Sequence, residues 1–346
     1  MSAPGEAASH MIYAGIDEAG YGPRIGPLTV GLSVFRVPLS ASDASNVDDV
    51  APPCLWKRLR TIVGKANDSR RKRKPVVFVD DSKRLKGANG LKTRHPLERL
   101  EQSVLAFLAC SGVKPCTDLE LFDAFGASLE LGPWYGGDAH PCPVTTTREH
   151  LNVMSAAVGA GLRASAVSVE MIRCELLGEA QFNELVAESG SKAVVNFRAA
   201  TSHLRRVWNA YGHETAYVAM DRQGGRVCYG RPLASAFPEA IVHTRDEQRE
   251  RSVYEIVERS GRASSRRRMI VSFEIESDQK HFPTALASMT AKLVRELSMA
   301  RLNRYWCDRV PSLKPTAGYG ADAARWLQGV EPYLQARDRF QLVRQA

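Results

Sequence analysis

The stretch Ile12-Tyr13-Ala14-Gly15-Ile16-Asp17-Glu18-Ala19-Gly20-Tyr21-Gly22-Pro23 decides how the rest of this chain is read. An apolar, partly β-branched run ends in two adjacent carboxylates, and glycine and proline follow at once. That order predicts a buried strand with acids at its exit. Neighbouring carboxylates repel each other, and a buried charge is costly unless it is paired or bound to a metal. Hard divalent cations such as Mg²⁺ and Mn²⁺ take oxygen ligands of this kind. Taken alone, an Asp-Glu pair also fits a solvated turn. Residues 28–37 read as a second strand after only a Gly/Pro loop, so a β-hairpin is expected. A dinucleotide-binding turn would need a helix N-terminus after its glycines. Here Pro23 and a strand follow, and the spacing Gly20, Gly22, Gly26 does not fit.

Outward from the hairpin, short apolar runs at 76–79, 217–220 and 269–275 read as strands. Apolar residues at helical spacing mark helices over 97–108, 181–186, 197–211 and 284–303. The charged stretch 247–260 is expected to be a surface helix, and 321–334 a helix broken near Pro332. From 112 to 162 the pattern is weak. Residues 119–131 read as helical, 132–137 as loop, and Trp134 and Tyr135 as core packing in preference to a base-stacking surface. Strands alternating with helices predict an α/β fold with a mixed central sheet. The expected organisation is one domain, with an internal insertion at about 112–162 and a helical extension from about 310.

The net charge of +9 is unevenly placed. Residues 57–99 hold fifteen Lys or Arg against four acids, so the rest of the chain is slightly acidic. The sharpest run, Arg70-Arg71-Lys72-Arg73-Lys74, reads as an exposed loop suited to phosphate contact, because Lys and Arg neutralise phosphates and release counterions. Seven scattered cysteines without a Cys-x-x-Cys pair argue for reduced thiols in a cytoplasm and against a structural zinc site. No stretch of about 18 apolar residues occurs, so no membrane span is expected.

The opening block Asp17-Glu18-Ala19-Gly20-Tyr21-Gly22-Pro23 resembles the first motif of type 2 ribonucleases H, the ribonuclease HII family. Further pieces follow in that family's order. They are Asp81-Ser82-Lys83, then Asn196 and the amphipathic stretch after it, then Asp221 closing an apolar run. Asp278-Gln279-Lys280 with Ser288 and Lys292, and finally Gly318-Tyr319-Gly320, complete the set. The resemblance implies a ribonuclease H-like fold, with a mixed central sheet flanked by helices. It implies a carboxylate cluster of Asp17, Glu18, Asp221 and Asp278 holding two Mg²⁺ or Mn²⁺ ions. Paired ions of this kind stabilise both the attacking and the leaving oxygens of an in-line displacement. The implied activity is endonucleolytic cleavage of RNA in RNA–DNA hybrids, including ribonucleotides embedded in duplex DNA, with 5′-phosphate and 3′-hydroxyl products. Gly20, Tyr21, Gly22 and Tyr319 would read the ribose, whose 2′-hydroxyl distinguishes RNA from DNA. Lys83, Lys280 and Ser288 would neighbour the phosphate or the cluster. No histidine falls in a matched motif, and none is assigned to catalysis.

Taken singly, each acid also fits a cap or a turn. The chain departs from the family where Tyr21 stands in place of the usual arginine. Arg222-Gln223-Gly224 follows Asp221 where a glycine is usual, and 340–346 lacks the sliding-clamp pattern Gln-x-x-Leu-x-x-Phe-Phe. Two alternatives stay open: a non-catalytic nucleic-acid-binding relative, and a nuclease of the same fold with another substrate.

Overall fold

The computed structural model describes residues 10–39, 51–68, 75–87, 93–260 and 266–345. The basic run 70–74 therefore lies outside the described residues. β1 (His10–Ala19) and β2 (Leu28–Pro38) form the expected antiparallel hairpin. β3 (Val63–Gly64) and β4 (Val77–Phe78) pair apart from it as a small parallel ladder. β5 (Ser168–Leu177) lies antiparallel on the outer side of β2. β6 (Ala216–Asp221) runs parallel to β1. β7 (Ala240–Glu247) and β8 (Arg251–Glu258) form a second hairpin, and β9 (Arg268–Glu274) sits between β8 and β6. The resulting seven-stranded mixed sheet has the order β5-β2-β1-β6-β9-β8-β7.

Both faces of the central strands are buried, as the period-2 alternation of β1 requires. Met11 and Tyr13 pack with Phe35, Phe107, Phe282, Leu286 and Met289 on one face. Ile12, Ala14 and Ile16 pack with Leu204, Val207, Trp208 and Phe273 on the other. Full burial of each large apolar side chain contributes about 1.5–3 kcal/mol. The long helix Phe282–Cys307 lies directly on β1 and β2. Two glycines permit that approach: a Cβ on Gly15 would stand 2.0 Å from the Thr284 nitrogen, and one on Gly31 2.1 Å from the Ala287 oxygen. The polar atoms trapped at this contact are satisfied locally. Thr29 donates to the Ala291 carbonyl at 2.9 Å, and Ser33 to the Pro283 carbonyl at 2.7 Å.

The region 112–162 adds two helices to the same core. Leu121, Phe122 and Phe125 of the helix Asp118–Phe125, and Leu151, Met154 and Val158 of Arg148–Ala164, join the cluster around Phe107. The first helix stops sooner than 131 because Gly126 takes a left-handed conformation at φ 71°, a common helix terminator. Trp134 and Tyr135 are buried, as read from the sequence. They lie in a third cluster with Ile25, Trp306, Trp326 and Leu342.

One expectation is overturned. Residues 247–260 form no surface helix. Arg251–Glu258 is a strand, paired on both sides. Its charged residues suggested exposure, but Val253, Tyr254 and Ile256 are buried. Glu255 is buried as well, and is paired with Arg245 and Arg268. β-Branched and aromatic residues favour a pleated, half-buried surface, and pairing with β9 decides the conformation. The strands 168–177 and 240–247 and the helix over 148–164 also went unread.

Candidate functional site

Parallel pairing brings the first and third acids to one edge. In the β1–β6 ladder Ile16 faces Met220, so Asp17 and Asp221 stand at the same level. Ligands in open α/β sheets gather at such carboxyl ends. In the neighbouring ladder Asp221 faces Glu274, and the turn after β9 carries Asp278. The Ser277 N–H donates to Asp221 Oδ1 at 3.0 Å, tying that turn to β6. Glu276 in the turn has φ 54°, a left-handed conformation uncommon outside glycine.

A cleft of about 960 Å³ opens at this edge. Asp17, Glu18, Asp221 and Asp278 line it together with Gly20, Tyr21, Gly22, Lys83, Ser288 and Tyr319. Lys280 is not among the lining residues. Its ammonium lies 3.6 Å from Glu274 instead. Lys292 does line the cleft, paired with Glu296 at 2.8 Å. Arg222, Arg249 and Glu276 line it too. Sequence reading missed these three, and Arg249 was hidden in the stretch taken for a helix. Arg222 donates to the carbonyls of Gln248 (2.8 Å) and Arg249, fastening the tip of the β7–β8 hairpin to the loop after Asp221. Asp81 also lines the cleft; it stood within a quoted motif without being counted among the acids.

Burial first, and mutual repulsion second, favours the protonated form of these acids. Burial pushes Asp17 well above the usual carboxylate range, and the charges of Glu18 and Asp221 add to the rise. Ser288 bonds Asp17 and opposes it. Burial, then the charge of Asp221, raises Glu18 to about 7 against a bond from Asn196. Burial and the charges of Asp81 and Asp221 raise Asp278 to about 6. Asp221 is raised chiefly by burial, opposed by bonds from the Ser277 and Arg222 backbones. Mutual repulsion among these acids is relieved by a cation, and an oxygen-only donor set suits a hard divalent one. Among the described residues, no three such side chains already close round a single point. The donor chemistry fits the ion; a closed cage is not preformed.

His281 stands behind the cleft. Its Nδ1 is 2.6 Å from the Tyr13 hydroxyl and its Nε2 is 2.9 Å from Glu274 Oε1. Burial alone would raise Glu274. The His281 bond and the charges of His281, Arg251 and Lys280 hold it at about 2. The histidine braces the turn and lies outside the cleft lining.

The loop after β1 is locked against the late Gly-Tyr-Gly element. The N–H groups of Arg24 and Ile25 donate to the Gly318 carbonyl at 2.9 and 3.3 Å. Arg295 Nη2 donates to the carbonyls of Ile25 and Ala317, and its guanidinium lies 5.2 Å from the Tyr319 ring centre. Gly20 has φ 83°, and a Cβ there would meet Arg295 Nε at 2.5 Å, so only glycine fits. Motifs from both ends of the sequence thus share one sheet edge, in a mixed sheet with helices on both faces. The architecture is a mixed α/β sheet with its acids gathered at one edge. No family model and no curated protein matches the chain. Among solved structures it is similar to the ribonuclease HII of Archaeoglobus fulgidus, solved with PCNA, at 13% identity over 96% of this chain and 93% of that one, with a TM-score of 0.41. It is similar to ribonuclease H2 of Pyrococcus horikoshii at 14% identity, over 96% and 92%, with a TM-score of 0.41. For a Bst-RNase HIII solved with Mn²⁺ the values are 13%, 97%, 67% and 0.39. No described helix is long and apolar enough to cross a membrane.

Proposed function

We propose that the chain is a metal-dependent endoribonuclease of the ribonuclease HII type. It hydrolyses the RNA strand of RNA–DNA hybrids and cuts at ribonucleotides embedded in duplex DNA, leaving 5′-phosphate and 3′-hydroxyl ends. The observation that carries the reading is the convergence of four acids on one cleft, which the Gly20–Gly22 loop and Tyr319 also line. Clustered negative charge gives no advantage to a protein that only binds phosphate, which favours catalysis over a purely binding role. Asp17, Glu18, Asp221 and Asp278 would hold Mg²⁺ or Mn²⁺, which when bound would supply positive charge for the attacking and departing oxygens.

The remaining roles belong to the chain. Ser288 orients Asp17, and Asn196 orients Glu18. Lys83, in the cleft wall, offers a phosphate contact, as does Arg249. The glycine loop brings main-chain donors close to the ribose, and the Tyr319 ring, 45% exposed, stands ready for its 2′-hydroxyl. The region 112–162 belongs to the same domain, because its helices share the core beneath the sheet. The test is cleavage of a continuous hybrid, a single-ribonucleotide duplex and a plain DNA duplex, each with Mg²⁺ or Mn²⁺. Cleavage confined to the two RNA-containing substrates supports the reading. Cutting of plain DNA would move the protein to another substrate class, and silence on all three would leave a binding protein.

A further inference from the structure

We propose that Arg344 is a positioning residue for the Gly20-Tyr21-Gly22 loop, set by the packed segment that carries it. On the substrate side this rests on the nuclease reading above; on the structural side it stands alone. Leu342 and Val343 are buried in the third core cluster with Ile25 and Trp326. Asn183 fastens the segment from the helix Glu179–Ser189. Its Nδ2 donates to the carbonyls of Phe340 and Val343 at 3.0 and 2.9 Å, and its Oδ1 accepts the Gln345 N–H at 2.7 Å. The Arg344 N–H donates to the Arg24 carbonyl at 2.8 Å. Its guanidinium, buried over the Phe182 ring, donates through Nη2 to the Gly20 carbonyl at 2.5 Å.

That single bond orients the other end of the same peptide. A trans peptide is planar, with its C=O and N–H pointing in opposite directions. Holding the Gly20 oxygen toward Arg344 turns the Tyr21 N–H the other way. Tyr21 lines the cleft. The donor best placed to meet a ribose is therefore aimed by a residue more than three hundred positions away. Gly20 itself sits between two guanidinium groups, with Arg295 on its Cα side.

Simple packing does not account for an arginine here. A buried guanidinium is costly, and Arg344 Nε and Nη1 have no partner. A nearby carboxylate whose charge Arg344 feels, Glu179, is fully buried and accepts from Tyr135 Oη at 2.7 Å and from the Gly26 N–H at 2.8 Å. Glu179 thus holds the far end of the same loop. The pair grips the loop from 20 to 26 at both ends.

The test uses the full chain. Arg344→Ala leaves Glu179 without a countercharge and risks unfolding. Arg344→Met combined with Glu179→Gln removes both charges together and keeps an acceptor for Tyr135 and Gly26. Amide exchange at Gly20–Gly22 is expected to quicken by roughly tenfold, the worth of one net hydrogen bond. On a single-ribonucleotide duplex KM should rise by a similar factor with kcat little changed, while a continuous hybrid is affected less. Arg344→Lys, which can still reach the Gly20 oxygen, should restore part of both. Unchanged exchange in the folded double variant overturns the clamp. Faster exchange without a change in substrate preference overturns its role in recognition. If the wild type cleaves no substrate, the nuclease reading fails, yet faster exchange in the variant would still support the clamp.

Discussion

The carbonyl of Gly318 accepts the N–H of Arg24 at 2.9 Å, joining the glycine loop that follows the first strand to the element that carries Tyr319. The two segments proposed above to read a ribose are thereby joined, with Arg295 bonded to the carbonyls of Ile25 and Ala317. Substrate choice should be decided here. Tyr319→Phe keeps the ring and removes only the hydroxyl. We expect a loss of about 0.5–1.5 kcal/mol in transition-state stabilisation at a single-ribonucleotide site. Tyr21→Arg adds a charge-assisted phosphate contact and should raise cleavage at that site relative to a continuous hybrid. Kinetics on the two substrates check both, and silence of both variants would place recognition elsewhere.

Asp17→Asn should lower cleavage by more than about a hundredfold, beyond what loss of a partner to a metal ligand costs. Hybrid binding should persist, because the basic surface is untouched. The same substitution should stabilise the metal-free protein. The Asp17 carboxyl is raised in the folded state, so at neutral pH its charge opposes folding, and that penalty grows as pH rises from the unfolded value toward the folded one. A thermal melt without metal should show a higher midpoint for the variant. Near-normal turnover of Asp17→Asn at saturating Mg²⁺ would sink the metal-cluster assignment.

Metal affinity should depend on pH. Glu18 sits at about 7 and Asp278 at about 6 without an ion. Protons therefore compete with the cation below those values. Mn²⁺ affinity, followed by titration calorimetry, should fall as pH drops from about 8 to 6, and cleavage should fall with it. An affinity flat across that window would contradict the assignment of these two acids as ligands.

His203 offers an acid switch in stability, distant from the chemistry. It is fully buried, and burial lowers it to about 4; its Nε2 lies 2.8 Å from the Val30 carbonyl. A folded value below the unfolded 6.5 means the unfolded chain binds the proton first. Its contribution is complete above pH 6.5 and is lost as pH falls toward 4, amounting to roughly 3 kcal/mol. Urea denaturation of the wild type and His203→Gln should diverge across that range, with the variant less acid-sensitive. Parallel curves would refute the assignment.

Asp118 and Arg301 form a buried, bidentate pair at 2.8 and 2.9 Å that fastens the region 112–162 to the long helix. Breaking such a pair by removing one partner typically costs about 3–5 kcal/mol. Asp118→Ala should therefore lower the stability of the whole chain in one cooperative transition. A separate early transition confined to this region would show instead that it folds as an independent unit.

The sequence by itself determined the hairpin and the long helix, and it singled out four acids that the fold brings to one cleft. Those signals are local: an apolar run stopped by Asp17-Glu18, a helical spacing over 284–303, and motifs in a fixed order. It did not determine the strands 240–247 and 251–258, because Glu255 and its neighbours become tolerable in a sheet only once Arg245 and Arg268 stand beside them. The place of Lys280 was likewise out of reach, since Glu274 draws its charge away from the cleft. Nor could spacing reveal Arg344 beside Gly20, a contact made only when the core packs Leu342 and Val343 against Ile25. Local pattern marks the elements whose apolar residues repeat strongly. Which charges meet across the fold depends on non-local pairing and burial, and these exist only in the folded state.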